Sequence, residues 1–432
     1  MQKNEKKKLR SNQFFVFVSS MVEMVCGFIL IALLTRSFGP SAMGTYFLAM
    51  ALGGISQAFV TFGIYPVAVK ELSSTSGEKS VVLITLLYIQ TVIICLLALP
   101  MIFIVHFLYA YDPFLKQCIF LSIAFQVAVV PFVLIGSAVF QSFGKMYWDA
   151  MAAVLAHGII LFSVAWGIYY YHIGLAAVFI IICSGFMVKL LFSFFIITHR
   201  LVRIDRCTGS WALTKKYFNQ CWPIGLHDII MQGRAKIGIF MLEMFSSREQ
   251  IAFFAAPFKL LSKTRIFAVS FVRPLLPYFS RLVLEKEAEA LVKLYKKSFI
   301  ILFTAGAGVA LVLSCAGRFL VVLILGPEFQ EAWVCFSIMS WLVPIMFVYF
   351  LTINLLYACE EGRAVLTGSI VSFIFICIMS YVLILNYQAV GASVAFLMAV
   401  VLLLLMVLVP AKRAMEKIRT AQGEERDEKQ CG

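Results

Sequence analysis

Apolar runs of about 20 residues or more, the length that a transmembrane helix needs to cross a bilayer, recur along almost the whole chain. The chain is 62% hydrophobic and only 13% charged, whereas soluble domains are nearer half apolar and a quarter charged. We therefore predict an all-α integral membrane protein with twelve transmembrane helices. The predicted spans are residues 14–35, 42–68, 80–108, 116–140, 148–170, 174–197, 218–245, 250–280, 298–325, 332–357, 364–386 and 388–409.

Lys and Arg residues are distributed unevenly between the two sides of the predicted helices. With the segment before the first span placed inside, the inner segments hold 25 of the 36 Lys and Arg residues and the outer loops hold four. Because an excess of Lys and Arg marks cytoplasmic loops, we expect both termini to be cytoplasmic. The net charge of +14 is then explained by topology and by attraction to anionic lipid, and it requires no nucleic acid.

Short segments of similar sequence occur at corresponding places in the first and second halves of the chain. Pro131 in the fourth span corresponds to Pro344 in the tenth, and residues 174–179 (GLAAVF) correspond to 391–396 (GASVAF). Such similarities favour two six-helix repeats around a central cavity that carries the substrate. The predicted domains are an N-terminal six-helix bundle (1–197), a cytoplasmic connector (198–217), a C-terminal six-helix bundle (218–409) and a cytoplasmic tail (410–432).

Six basic side chains lie inside two neighbouring predicted spans, the seventh and the eighth. A lipid-facing Arg or Lys at mid-bilayer costs roughly 2.5–3.5 kcal/mol, and folded domains have net stabilities of only about 5–15 kcal/mol. These side chains must therefore line a wet cavity, contact a protein partner or lie near a helix end. The six residues are Arg234, Lys236, Lys259, Lys263, Arg265 and Arg273.

The basic residues of the eighth span share one face of an ideal helix, apart from Arg265, which projects from another. We predict that Arg234 of the seventh span faces one aqueous cavity together with Lys259 and Lys263. Arg265 and Arg273 complete the candidate substrate-binding set. The alternatives are that Arg273, like Lys236 in the seventh span, extends its side chain to a membrane interface, and that Arg265 pairs with a carboxylate.

Two acidic side chains occupy similar places in the two predicted repeats, Glu23 in the first span and Asp228 in the seventh. Intramembrane carboxylates mark proton or cation relays, or they pair with basic groups. Both residues are therefore candidates for ion coupling. The alternative for Asp228 is pairing with Arg234 and His227, and for Glu23 it is a static salt bridge to a basic residue of the seventh or eighth span.

The sequence offers little basis for an enzyme or a metal protein. The eleven cysteines are scattered without a CxxC pair or a nearby His cluster, so they indicate neither a disulfide framework nor a metal site. A polysaccharide polymerase or ligase would ordinarily need a large outer loop with polar groups, which the predicted topology lacks. We expect no enzymatic activity, no metal and no cofactor.

The chain begins with a basic segment and a first predicted helix that contains several polar residues. Three short motifs come next: residues 34–46 (LTRSFGPSAMGTY), 62–64 (FGI) and 70–73 (KELS). In these motifs, and in residues 174–179, the chain resembles Wzx-type polysaccharide repeat-unit flippases of the multidrug/oligosaccharidyl-lipid/polysaccharide exporter superfamily. The resemblance implies transport of undecaprenyl-pyrophosphate-linked oligosaccharide across the bacterial inner membrane, for O-antigen or capsule. It also implies alternating access, with the polysaccharide polymerase and chain-length regulator as candidate partners.

Two transporters of the same superfamily are competing interpretations. A multidrug cation antiporter would bind organic cations, which favour carboxylates and aromatic rings, whereas the predicted cavity has excess positive charge. A lipid II flippase would share the fold, although members of that family usually carry fourteen spans.

Overall fold

The computed structural model of the chain describes residues 2–73, 79–201, 211–272, 275–285, 287–359 and 361–431. Nearly all of these residues are helical and none of them forms a strand, which confirms the all-α prediction. The chain divides into two compact units, Met1–Gly233 and Arg234–Gly432.

The described residues of the first unit form seven complete helices and the beginning of an eighth. The helices are α1 (Gln2–Thr61), α2 (Ile64–Ser73), α3 (Lys79–Leu108), α4 (Pro113–Ala128), α5 (Val130–Ser142), α6 (Met146–Tyr171), α7 (Leu175–Ile196) and α8 (Trp211–Phe245). A π-helical turn, Ile197–Leu201, follows α7. One buried core of this unit lies among α2, α3, α5 and the start of α8, where Leu72, Leu86 and Phe140 are completely buried.

The second unit contains the end of α8 and the remaining helices. They are α9 (Arg248–Ser262), α10 (Arg265–Val272), α11 (Leu275–Leu284), α12 (Ala288–Cys315), α13 (Gly317–Leu325), α14 (Ala332–Ser340), α15 (Leu342–Ala358) and α16 (Gly362–Cys431). A 3-10 turn, Pro327–Phe329, lies between α13 and α14. One buried core of this unit includes Phe279, Leu291 and Leu403, and α15 contributes seven of its seventeen buried residues.

Eight segments of the described chain are long and apolar enough to cross a membrane, which identifies a multi-pass membrane protein. Two of them, Phe14–Thr61 and Gly362–Thr420, are of double length. Each contains a break in the helical backbone, at Gly39 (φ 71°) in α1 and at Gln388 (φ 46°) in α16. Dividing both at their breaks makes ten segments. The count of twelve depends on α8 and on the region of α9–α11, which do not meet the same criteria, and it stays a prediction.

The predicted eighth span, 250–280, is not one continuous helix. A turn at Lys263 and Thr264 separates α9 from α10, and the two residues between α10 and α11 lie outside the described residues. The face shared by the basic residues on an ideal helix therefore does not extend through this region.

The beginning of α8 packs within the first unit. The Phe62 ring lies 5.8 Å from the Phe218 ring and 5.4 Å from the Trp222 ring, measured between centroids. Gly63 (φ 72°) approaches so closely that a Cβ there would lie 2.8 Å from the carbonyl oxygen of Cys221. Residues 202–210 of the predicted connector, 198–217, lie outside the described residues, and the predicted domain boundaries stay predictions.

Candidate functional site

Three lysines of the second unit form a group of neighbouring cations, which we call the lysine group. It comprises Lys236 on α8, Lys259 on α9 and Lys263 directly after α9. Lys236 interacts electrostatically with Lys259, and Lys259 with Lys263. Lys259 is exposed, while the other two are half-buried. Like charges repel each other, so the group is suited to binding an anion.

The described part of the chain provides no acidic partner for the lysine group. No carboxylate oxygen there lies within 4.0 Å of any of the three amines. A carboxylate at that distance would neutralise a lysine and reduce its attraction for an anionic ligand. Among the described residues, no ion pair neutralises the positive charge of the group.

The local sequence explains how α9 presents these lysines. Residues 251–257 of α9 are all buried, and the helix becomes exposed at Lys259. The helix then ends in a turn that side-chain hydroxyls support. Ser262 Oγ donates to the carbonyl oxygen of Lys259 (2.9 Å), and Thr264 Oγ1 donates to the carbonyl oxygen of Leu261 (2.7 Å). These local bonds compete with continuation of the helix and place Lys263 at its end.

Of the two remaining candidate residues, Arg265 and Arg273, the structure describes only Arg265. Arg265 is exposed, and its guanidinium lies 5.9 Å from the centroid of the Phe350 ring, a distance at which cation–π attraction operates. Within the described ranges no carboxylate lies within 4.0 Å of Arg265, so the alternative of an acidic partner is not observed there. Arg273 lies outside the described residues.

Arg234 has different surroundings from the lysine group. Its side chain is buried, with 5% of its surface exposed, and it interacts with Tyr349 of α15. The α8 residue that interacts with Lys259 is Lys236, which the sequence assigned to a membrane interface. That Arg234 shares an aqueous cavity with Lys259 and Lys263 stays a prediction.

The first unit contains a charge network that sequence reasoning missed. The Lys189 amine of α7 lies 3.6 Å from Asp149 Oδ1 on α6 and 3.9 Å from Glu23 Oε1 on α1. Ser137 Oγ on α5 donates to the same oxygen of Asp149 (2.7 Å). The observed partner of Glu23 is therefore Lys189, not a basic residue of the seventh or eighth span. The sequence did contain a signal for this network, because a lone lysine inside the apolar α7 requires a partner.

Asp228 lies on the part of α8 that belongs to the first unit. It is half-buried, and its electrostatic neighbour is His227. None of the described basic groups lies within 4.0 Å of its carboxylate, so the alternative of an ion pair with Arg234 is not observed. The same part of the chain contains no cluster of three or more His, Cys, Asp or Glu side chains that could hold a metal ion.

Comparisons with solved structures identify proteins of similar fold. The lipid II flippase MurJ in an inward closed conformation is 15% identical, with a TM-score of 0.72 over 94% of this chain and 89% of that chain. An inward-facing multidrug resistance MATE transporter of the MOP superfamily is 13% identical, with a TM-score of 0.64 over 95% and 96%. A MOP superfamily transporter from Pyrococcus furiosus, described as having a binding pocket of reverse polarity, is 13% identical, with a TM-score of 0.67 over 96% of both chains.

Sequence comparison identifies the family. A family model described as "Polysaccharide biosynthesis protein" matches residues 9–283, which is more than half of the chain. A search of curated proteins finds no match. The likeness to the solved structures, at low identity, shows the fold alone. The chain therefore belongs to the polysaccharide biosynthesis protein family, as a multi-pass membrane protein with the fold of the MOP superfamily flippases and transporters.

Proposed function

We propose that the protein is a flippase that moves undecaprenyl-pyrophosphate-linked oligosaccharide repeat units across the bacterial inner membrane. The membership of a polysaccharide biosynthesis family and the fold shared with a lipid II flippase support this function. The product would be used for O-antigen or another surface polysaccharide. Both termini would then be cytoplasmic.

The observation that carries the proposal is the lysine group. A pyrophosphate with two or more negative charges has to cross a hydrocarbon layer of about 30 Å. Lys236, Lys259 and Lys263 can bind its oxygens through charge-assisted hydrogen bonds, which are stronger than neutral ones. The exposed Arg265 can supply a further, bidentate contact. The polyprenyl chain can remain in the bilayer while the charged part moves.

The lysine group argues against the multidrug cation antiporter but not against the lipid II flippase. A multidrug cation antiporter would need negative charge where the lysine group places positive charge, so this alternative is disfavoured. A lipid II flippase moves a substrate with the same lipid-linked pyrophosphate chemistry, and the charges do not separate it from our proposal. Alternating access, in which two six-helix repeats move relative to each other, is the mechanism that we propose for either flippase.

The decisive experiment changes the charge at Lys259 and measures glycan export in cells at matched protein levels. Lys259→Arg should keep most export, because it retains the cation. Lys259→Ala should reduce export by about 10- to 100-fold, since a hydrogen bond to a charged group contributes about 1.5–3 kcal/mol. Lys259→Glu should abolish export, because it adds repulsion.

The matched control is Lys297→Glu, which makes the same charge change at an exposed lysine on α12 and should leave export unchanged. Equal export by the Ala and Glu variants of Lys259 would contradict anion binding. Export of lipid II instead of polysaccharide units by the wild type would favour the lipid II flippase.

The same proposal assigns ion coupling to Glu23. Its side chain is 42% exposed although it lies in a membrane-spanning segment, so packing within the protein does not enclose it. Lys189 is its charged partner and remains paired with Asp149 if Glu23 is neutralised. Asp228, without a described ion pair, is the second candidate.

A further inference from the structure

Arg234 is a buried cation without a compensating charge in the described part of the chain. Only 5% of its surface is exposed, and its Nη1 atom has no hydrogen-bond partner there. No described carboxylate lies within 4.0 Å of it. The guanidinium remains protonated in proteins, and a buried charge is strongly unfavourable unless a counter-charge and hydrogen bonds compensate it. This position in the second unit therefore requires a negative charge.

Tyr349 supplies a second donor at the same place. The residue is 1% exposed, no described group meets the distance and angle of a hydrogen bond to its hydroxyl, and its polar neighbours include Arg234, Ser369 and Tyr357. Ser369 Oγ donates its own proton to the carbonyl oxygen of Val365 (2.9 Å), so it does not add a free donor. The guanidinium N–H and the tyrosine O–H thus offer two buried donors beside one positive charge.

We propose that Arg234 and Tyr349 bind a small monovalent anion of the halide class inside the second unit. A halide accepts hydrogen bonds from the Nη1–H and the O–H and compensates the charge of the guanidinium. A water molecule would satisfy the donors and leave the charge uncompensated. The deep burial of both side chains leaves the pyrophosphate-bearing substrate to the lysine group, where Lys259 is exposed.

Bromide locates the ion directly. Crystals of the full-length protein are grown in sodium bromide, and anomalous diffraction is measured at the bromine absorption edge. We expect an anomalous peak within hydrogen-bonding distance of Arg234 Nη1 and the Tyr349 hydroxyl oxygen. An ordered Arg234 without a peak, in crystals that show bromide at other positions, would overturn the proposal.

Halide binding in solution is measured from thermal unfolding of the purified protein, with chloride replacing gluconate at constant ionic strength. The unfolding temperature of the wild type should rise with chloride, because a ligand that binds only the folded state stabilises it. Arg234→Met should remove this dependence. Tyr349→Phe should raise the midpoint chloride concentration by about tenfold, since it deletes one hydrogen bond to an ion.

The matched control is Tyr295→Phe. Tyr295 is also a buried tyrosine of the second unit, but its hydroxyl is hydrogen-bonded to Thr352 Oγ1 (2.9 Å). This variant should keep the wild-type chloride midpoint even if it is less stable. If Arg234→Met does not fold, the comparison of the two tyrosine variants decides, and equal midpoints would contradict the site. None of these measurements uses glycan, so their failure leaves the flippase proposal standing.

Discussion

At the scale of single residues, Lys189 determines what Glu23 can do. The Lys189 amine lies between two carboxylates, and the closer one, on Asp149, is nearly buried and also accepts a hydrogen bond from Ser137. Glu23 is the more exposed and more distant partner. If Glu23 loses its negative charge, the buried pair of Lys189 and Asp149 remains. A residue that couples transport to protons has to change its charge in this way without breaking the surrounding structure.

We predict that Glu23→Gln abolishes substrate-driven proton flux in proteoliposomes. The same variant should lower the free energy of unfolding by only about 0–1 kcal/mol, as for an exposed ion pair. Asp149→Asn is the comparison, and it should cost about 3–5 kcal/mol because it weakens a buried pair and leaves the Lys189 charge without its nearest partner. Unchanged flux in Glu23→Gln, or a wild type without flux, would make Glu23 a static partner of Lys189.

At the scale of elements, α3, α6 and α7 were predictable because long apolar runs end at clear turn signals. The predicted spans 80–108, 148–170 and 174–197 agree closely with the helices observed. The break between α9 and α10 was not predictable in the same way, since hydrophobicity alone does not show where the hydroxyls of Ser262 and Thr264 will bind backbone carbonyls. Individual basic residues could be recognised from the sequence, but their neighbours depend on packing between helices.

The break in α16 illustrates an element stabilised from a distant position. Gln388 has φ 46° and ψ −124°, so the helix restarts after it. The backbone N–H of Ala389 then donates to Gln250 Oε1 of α9 (3.3 Å). Because an unsatisfied N–H in apolar surroundings is unfavourable, the side chain of Gln250 acts as a cap for the second half of α16.

We predict that Gln250→Ala lowers the free energy of unfolding by about 1–3 kcal/mol, the cost of leaving a buried donor unsatisfied. Gln250→Glu keeps an acceptor oxygen at the same reach and should cost less. Glu249→Ala changes the exposed neighbouring residue and should stay within about 0.5 kcal/mol of the wild type. Chemical denaturation of the purified protein measures all three, and equal losses for Gln250→Ala and Glu249→Ala would exclude the cap.

At the scale of the whole molecule, the distribution of basic residues predicts which segments face the cytoplasm. Single cysteines are placed at Lys297 and Arg363 on the predicted inner side and at Arg36 and Arg318 on the predicted outer side, in a variant without native cysteines. All four side chains are exposed. In intact spheroplasts a membrane-impermeant thiol reagent should label only the outer pair, and permeabilisation should make the inner pair reactive. Labelling of the inner pair before permeabilisation would reverse the orientation.

The lysine group also limits where selectivity between glycans can arise. A lysine amine is a compact point charge on a flexible stem, without the fixed planar fork of a guanidinium. Three such amines attract phosphate oxygens and are indifferent to the stereochemistry of a sugar several bonds away. If they hold the pyrophosphate, the protein recognises the chemical group that these lipid-linked glycans have in common. Discrimination between one repeat unit and another then has to come from other side chains, and weakening the lysine group should impair every accepted glycan to a similar degree.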